Sequence, residues 1–306
     1  MRILITGASG LLGLNLSLEA LKTHQVIGVD RSKLAGVPFE LLHMDLLEKD
    51  AVERMLEETR PDCLIHCAAL ADVDTCEKDP VASRRLNADL PAEIALSCAN
   101  HALPMLHIST DAVFDGTKEH PYFEDDIPNP LSVYAANKLE GEKKVLEVGP
   151  AAIVARVNFF GWSLTGKRSL AEFFVSNLRA GNKIKGFTDV FFCPMFVADL
   201  AQTLLKMLKK GLSGLYHVVG SEVLSKVEFG LAIARQFGYD PELIQPVLVD
   251  QSDLVAVRSR NLHLSTDKLS TDLGENIPGF STGLPKFYTQ FQQGYPQKLA
   301  DYQHKN

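Results

Sequence analysis

Short, continuously apolar runs alternate along this chain with longer stretches whose apolar residues recur every three to four positions. Arg2–Thr6 is an apolar run closed by a glycine, the pattern of a buried strand. Leu11–Leu21 follows with helical spacing, and Val26–Val29 is a second strand run ending at Asp30. A third strand is expected around Leu41–Met44, a helix over Glu48–Glu58 and a fourth strand over Cys63–His66. The helical spacing of Pro80–Asn100 precedes a fifth strand at Met105–Ser109. A helix over Pro130–Leu146 then leads to a sixth strand at Ile153–Val157. Such alternation predicts an α/β fold, a doubly wound parallel sheet with helices on both faces.

After about residue 160 the rhythm becomes irregular. Helices are expected at Leu170–Ala180, Val197–Lys209, Lys226–Phe237 and Pro285–Gln293, with a short strand at Tyr216–Val219. No repeat or flexible linker separates the two regions, so the second should pack directly on the first. The reading is a sheet domain over residues 1–160, with 186–220 returning to it, and a smaller part from 161–185 and 221–306. In such folds ligands sit beyond the carboxyl ends of the strands.

One of those ends carries Gly7-Ala8-Ser9-Gly10-Leu11-Leu12-Gly13, between the first strand and the first helix. Glycines there permit a tight turn and let backbone N–H groups approach a pyrophosphate at the helix N-terminus. The spacing is G-x-x-G-x-x-G rather than G-x-G-x-x-G, but its place after an N-terminal strand favours dinucleotide binding over an ordinary loop. Asp30 ends the second strand, where a carboxylate can accept hydrogen bonds from the adenosine ribose and disfavour a 2′-phosphate. Arg31 could instead embrace that phosphate, so NAD is favoured and NADP stays open. Asp45 and Leu46 could hold the adenine edge, or be a capping aspartate and a core leucine. The small residues of Cys67-Ala68-Ala69 would let a cofactor pass close to the backbone.

Composition narrows the setting. The 306 residues are 46% hydrophobic and 23% charged, ordinary for a globular protein, and the net charge of −7 argues against nucleic acid or an anionic membrane as partner. Gly7, Gly10 and Gly13 interrupt the apolar run Ile3–Leu18, which therefore reads as strand, turn and helix rather than a leader. Five cysteines without C-x-x-C spacing read as reduced thiols of a cytoplasmic protein. No His or carboxylate recurs at metal-ligand spacing, so no metal is expected, and His66, His107 and His217 read as packed histidines.

Tyr134-Ala135-Ala136-Asn137-Lys138 places a phenol and an ammonium four residues apart, on one face of a helix. A cation beside a tyrosine draws its pKa from about 10 toward neutrality, as acid–base chemistry requires. With Ser109-Thr110-Asp111-Ala112-Val113-Phe114-Asp115-Gly116 upstream, the chain resembles the extended short-chain dehydrogenase/reductase family, and within it the dTDP-4-dehydrorhamnose reductases. Their S-T-D-x-V-F-D-G segment precedes Tyr-x-x-x-Lys, and the 24 residues from Thr110 to Tyr134 suit that pattern. Further matching pieces are Ala68-Ala69, Val73-Asp74 with Glu77, Lys138-Leu139-Glu140-Gly141-Glu142, and Asn261 after Arg258.

The resemblance implies a Rossmann-like domain, a smaller substrate-binding part and a relay of Thr110, Tyr134 and Lys138. Tyr134 would protonate a carbonyl oxygen while the nicotinamide delivers hydride. Lys138 would lower the tyrosine pKa and bind the nicotinamide ribose, and Thr110 would hydrogen-bond the reacting oxygen. Ser109 would stand beside the cofactor. Dehydratases of this superfamily carry an Asp-Glu pair after the threonine; here Ala112 follows Asp111, which favours reduction over elimination. Val113, Phe114, Asn158, Phe159 and Trp162 could line a sugar pocket, or be core. Lys167, Arg168, Lys185, Arg258 and Arg260 are the cations available for a diphosphate, Arg258 foremost.

Two departures fall on the substrate side. Gly186-Phe187-Thr188-Asp189-Val190-Phe191-Phe192-Cys193-Pro194 stands where the reductases have D-Q-x-G-x-P-T, and Arg258-Ser259-Arg260-Asn261 lacks the proline of R-P-x-N. The expectation is an NAD(P)H-dependent reductase of a 4-keto nucleotide sugar, with a homodimer as a conceivable assembly. Its rivals are a nucleotide-sugar epimerase that retains NAD, and a dinucleotide-binding regulatory subunit like that of methionine adenosyltransferase.

Overall fold

The computed structural model describes residues 1–149, 151–251 and 259–303. Its first region runs β1 (Arg2–Thr6), α1 (Leu11–Ala20), β2 (Gln25–Asp30), β3 (Glu40–His43), α2 (Ala51–Thr59) and β4 (Cys63–His66). It continues through α3 (Val73–Lys78), α4 (Pro80–Arg84), a π-helical turn (Arg85–Asp89), α5 (Leu90–Asn100), β5 (Met105–Thr110), α6 (Val133–Val148) and β6 (Ile153–Val157). The second region comprises β7 (Phe159–Phe160), α7 (Leu170–Arg179), β8 (Ile184–Phe187), β9 (Phe191–Phe192), β10 (Met195–Phe196), α8 (Val197–Lys209) and β11 (Gly214–Val218). It ends with β12 (Leu224–Ser225), α9 (Lys226–Phe237), β13 (Ile244–Val247), β14 (Asn261–Leu262), α10 (Asp267–Leu273), α11 (Phe280–Gln292) and α12 (Tyr295–Asp301).

Seven strands form one sheet in the order β11-β6-β5-β4-β1-β2-β3, every pairing parallel. β1 and β4 are neighbours although two strands separate them in sequence, so the order reverses there and opens a crevice at their carboxyl ends. Helix α1 is apolar around most of its circumference because it is covered on both sides, by the sheet and by α8. One apolar cluster runs from Ile3, Ile5 and Leu14 through Phe160 and Phe196 to Phe174 and Phe229. The smaller part is thus welded to the sheet domain, and it carries three small sheets, β12-β9-β14, β13-β8 and β10-β7.

The short strands β7–β10 and β12–β14 and the helices α10 and α12 are not among the expected elements, and three further differences have a local cause. Pro80–Asn100 is two helices around a π turn, because Pro91 lacks the N–H that would bond the carbonyl of Asn87. That carbonyl faces α6, where a Cβ on Gly141 would lie 2.3 Å from it. Helix α11 starts at Phe280, with Pro285 inside it rather than at its head. Helix α3 is too short for periodicity to reveal, but Asp72 caps it through the Thr75 amide.

Candidate active site

The first component is the β1–α1 turn. Gly7 has φ +70°, and a Cβ on it would lie 2.7 Å from the Ala68 amide nitrogen; a Cβ on Gly13 would lie 2.1 Å from the Gly7 carbonyl. Glycine alone fits this cradle. Gly10 is the N-cap of α1 and brings no side-chain cap, so the first amides of the helix are left to face a ligand. The cleft above the turn holds about 210 Å³ and is lined by Gly7, Ser9, Gly10, Asp30, Arg31, Asp45, Leu46, Cys67, Ala68 and Ala69, among others. These residues fit a dinucleotide: a backbone cradle for pyrophosphate, an acid at the end of β2, and small residues at the end of β4.

Details change the part some residues play. Both Asp30 oxygens accept backbone amides, from Ser9 (2.9 Å) and Ser32 (2.7 Å), so this carboxylate also holds the glycine turn in place. Asp45 accepts from the Leu47 amide (2.9 Å) in an Asx turn. The Leu11 and Leu12 side chains are buried in the core, which leaves only their backbone for a ligand. Ser109 does not face the cleft: its hydroxyl donates to Glu142 (2.5 Å), which also binds the buried Arg156 (2.8 Å). Burial pushes the Cys67 thiol up to about 12, so it stays protonated.

The second component lies at the end of β5. Thr110 closes the strand, accepts the Ala112 amide (3.2 Å), donates to Asp111 (3.2 Å) and stands beside the Tyr134 hydroxyl. Ser132 caps α6 through the Ala135 amide and so sets Tyr134 and Lys138 on its first two turns. Burial pushes the Tyr134 hydroxyl well above its usual range, an effect the Thr110 bond offsets in part and Asp111 reinforces. The Lys138 ammonium is buried, donates to the Ile108 carbonyl (2.6 Å) and lies 3.3 Å from His107 Nε2. Burial pulls Lys138 itself down to about 8, against the opposing charge of Glu142. His66 and His107 stack in register on β4 and β5 at 5.4 Å between ring centroids, buried and away from any metal ligand set. Among the described residues no cluster suited to a metal occurs.

A large cleft of about 790 Å³ opens from Tyr134 toward the smaller part. Asn158 lines it and donates to buried Asp111 (2.5 Å), whose carboxyl burial pushes up. The aromatic walls come from Phe173, Phe187, Phe191 and Phe192, and cations from Lys183, Lys185 and Lys226. Lys226 stands 3.2 Å over the Phe192 ring. Sequence reasoning missed Lys226 and Lys183 here. The signal for Lys226 was the Ser225…Glu228 capping box, which starts α9 at the cleft.

Several expected sugar contacts lie elsewhere. Val113 and Phe114 are fully buried with Tyr122, Leu139 and Leu264; Phe114 stacks on Tyr122 at 4.2 Å. Trp162 stacks on Phe287 at 4.1 Å and donates to its carbonyl (3.2 Å), so it is core. Phe159 pairs through β7 with β10 and does not line the cleft. Arg260 is paired with Asp250 (2.6 Å) and Asp189 (3.5 Å), and Arg168 lies in the dinucleotide cleft instead. Lys167 is exposed and lines neither cleft, whereas Lys185 does line the larger one. Arg258 falls outside the described residues.

The seven-stranded parallel sheet, the glycine turn and the second part packed on the same face define a Rossmann-type protein of the extended short-chain dehydrogenase/reductase class. More narrowly, the RmlD substrate-binding domain family matches residues 1–293, and the chain belongs to that family. It is 32% identical over 296 residues to the "Probable low-salt glycan biosynthesis reductase Agl14" of Haloferax volcanii, covering 95% of this chain and 98% of that protein. Methionine adenosyltransferase 2 subunit beta of Bos taurus is 33% identical over 288 residues, 90% of this chain and 84% of that protein. Among solved structures, dTDP-4-dehydrorhamnose reductase of Bacillus anthracis in complex with NADP superposes with a TM-score of 0.85 at 26% identity, covering 94% and 99% of the two chains. No helix among the described residues is long and apolar enough to cross a membrane.

Proposed function

We propose that this chain is an NAD(P)H-dependent reductase of a 4-keto nucleotide sugar, with Tyr134 as proton donor. The observation that carries the reading is Tyr134 in the lining of the large cleft, with Thr110 beside it and buried Lys138 one turn further along the same helix. Tyrosine is protonated near neutrality, the state a donor to a carbonyl oxygen must have, and a cation on the same helix face offsets the cost of leaving a phenolate in so buried a place. A bound dinucleotide would rest on the Gly7–Gly13 turn and supply hydride to the carbonyl carbon. Thr110 stands beside the tyrosine hydroxyl and would turn its own hydroxyl from Asp111 to the substrate oxygen, and the Lys138 ammonium would stabilise the phenolate as the proton leaves. Asp111 has no second carboxylate beside it, and its oxygens are engaged by Asn158 and Thr110, so elimination of water lacks its acid–base pair.

The aromatic walls suit a base and a deoxygenated sugar face, and Lys183, Lys185 and Lys226 suit a diphosphate. Asp30 favours NAD, since its charge opposes a 2′-phosphate. Five unpaired thiols fit a reducing compartment such as the cytoplasm. The test is to follow NADH and NADPH oxidation with a panel of 4-keto dTDP-, GDP- and UDP-sugars. Turnover with at least one is expected, and none with any would overturn the reading. The second reading, a dinucleotide-binding regulatory subunit, is favoured by the similarity to methionine adenosyltransferase 2 subunit beta. Co-purification with a methionine adenosyltransferase catalytic subunit, together with no turnover of any keto sugar, would select it.

A further inference from the structure

We propose that Arg168, carried by the smaller part of the molecule, is the cation that holds the cofactor pyrophosphate at the start of α1. The inference rests on the dinucleotide-dependent reading above. The chain has a net charge of −7, and the cleft over the glycine turn has two acids in its lining, Asp30 and Asp45. A pyrophosphate entering it meets backbone dipoles from the turn and two basic side chains, Arg31 and Arg168. Arg31 follows Asp30, whose carboxylate accepts the next amide, Ser32, and so belongs to the ribose end.

Arg168 belongs to the other end. Its neighbour Ser169 accepts the Gly161 amide (3.3 Å), and a Cβ on Gly161 would lie 3.9 Å from the Leu11 side chain, on the first residue of α1. The Trp162 carbonyl accepts Asn15 Nδ2 (2.9 Å) one turn further along the same helix. The 161–162 end of the segment 161–169 is therefore pinned to α1, and Ser169 ties the other end back to it. Its interior is tied to one buried carboxylate: Glu172 accepts the amides of Ser163 (2.6 Å), Arg168 (2.9 Å) and Ser169 (3.1 Å) and the Ser163 hydroxyl (2.8 Å). The backbone of Arg168 is thus fixed before any ligand arrives. Its side chain is exposed to the cleft and makes no ion pair or hydrogen bond among the described residues. A guanidinium so placed offers a planar fork to two phosphate oxygens opposite the turn amides.

Binding of NADH, NADPH, ADP-ribose and adenosine to the full chain and to Arg168→Ala and Arg168→Lys, by calorimetry, tests this. Arg168→Ala should weaken NADH, NADPH and ADP-ribose alike, by about ten- to a hundredfold, as for a lost charge-assisted bond. Adenosine, which has no phosphate, should bind unchanged, and Arg168→Lys should recover part of the loss. Unchanged affinities, a loss confined to NADPH, or an equal loss for adenosine would each overturn the assignment. A parent protein that binds none of the dinucleotides would instead overturn the reading on which it rests.

Discussion

Glu142→Gln removes one charge from a pair that water does not reach. Glu142 and Arg156 are 3% and 2% exposed and meet at 2.8 Å, and Glu142 also takes the Ser109 hydroxyl at 2.5 Å. Breaking such a pair leaves an uncompensated buried guanidinium, which costs about 3–5 kcal/mol. Glutamine keeps the shape and one acceptor oxygen, so the loss should fall near about 3 kcal/mol. With roughly 2.1 cal/mol/K of unfolding entropy per residue over 306 residues, that lowers Tm by about 5 °C. The same substitution reaches the site. Glu142 stands one turn beyond Lys138 on α6 and is the charge that counters the pull of burial on its ammonium. Without it Lys138 should titrate below about 8, and the alkaline limb of kcat/KM for carbonyl reduction should move to lower pH. Thermal unfolding and a pH–rate profile of parent and variant read both effects. A Tm within about 1 °C of the parent, or an unmoved alkaline limb, would refute the coupling.

Tyr134→Phe removes only the hydroxyl and should lower kcat by about a hundred- to ten-thousandfold, with little change in the dinucleotide Kd; full activity would overturn the proton-donor role. In the parent, Lys138 is charged below its value of about 8 and loses its charge above it. Reductive kcat/KM should therefore be level up to that pH and fall about tenfold per unit beyond it, whereas a profile flat to about pH 10 would remove the lysine from the mechanism. Gly13→Ala puts a Cβ 2.1 Å from a backbone carbonyl that cannot yield cheaply. It should cost about 1–3 kcal/mol or more and weaken ADP-ribose binding, and unchanged binding by calorimetry would show that the cradle tolerates a side chain.

Much of the sheet was legible because a buried strand is a local fact. Arg2–Thr6, Cys63–His66 and Ile153–Val157 are apolar at nearly every position, and each observed strand covers that run. The helices Val197–Lys209 and Lys226–Phe237 run over the expected residues, the first by its apolar spacing and the second also by the Ser225 capping box and Gly238 at its end. Pro91 alone did not show that a π turn would form at Arg85–Asp89, because the register change also depends on how closely α6 approaches the Asn87 carbonyl.

The segment 109–116 marks the boundary most sharply. Read as a motif it is one unit, yet Ser109 serves the buried Glu142, Thr110 and Asp111 face the site, and Val113 and Phe114 fill a core. Gly116, at φ +75°, lets the chain turn where a Cβ would lie 2.7 Å from the amide of Asn261. Sequence spacing alone determined that Thr110, Tyr134 and Lys138 would fall at the end of one strand and on one helix face, because strand and helix periods set those positions locally. Which groups they meet was decided only by tertiary packing. It turned Lys138 toward Ile108 and His107, sent Trp162 into the core and brought Arg168 to the dinucleotide cleft. Those contacts join segments tens of residues apart, and their distances are set by how helices and sheet close over one shared core, which no local pattern encodes.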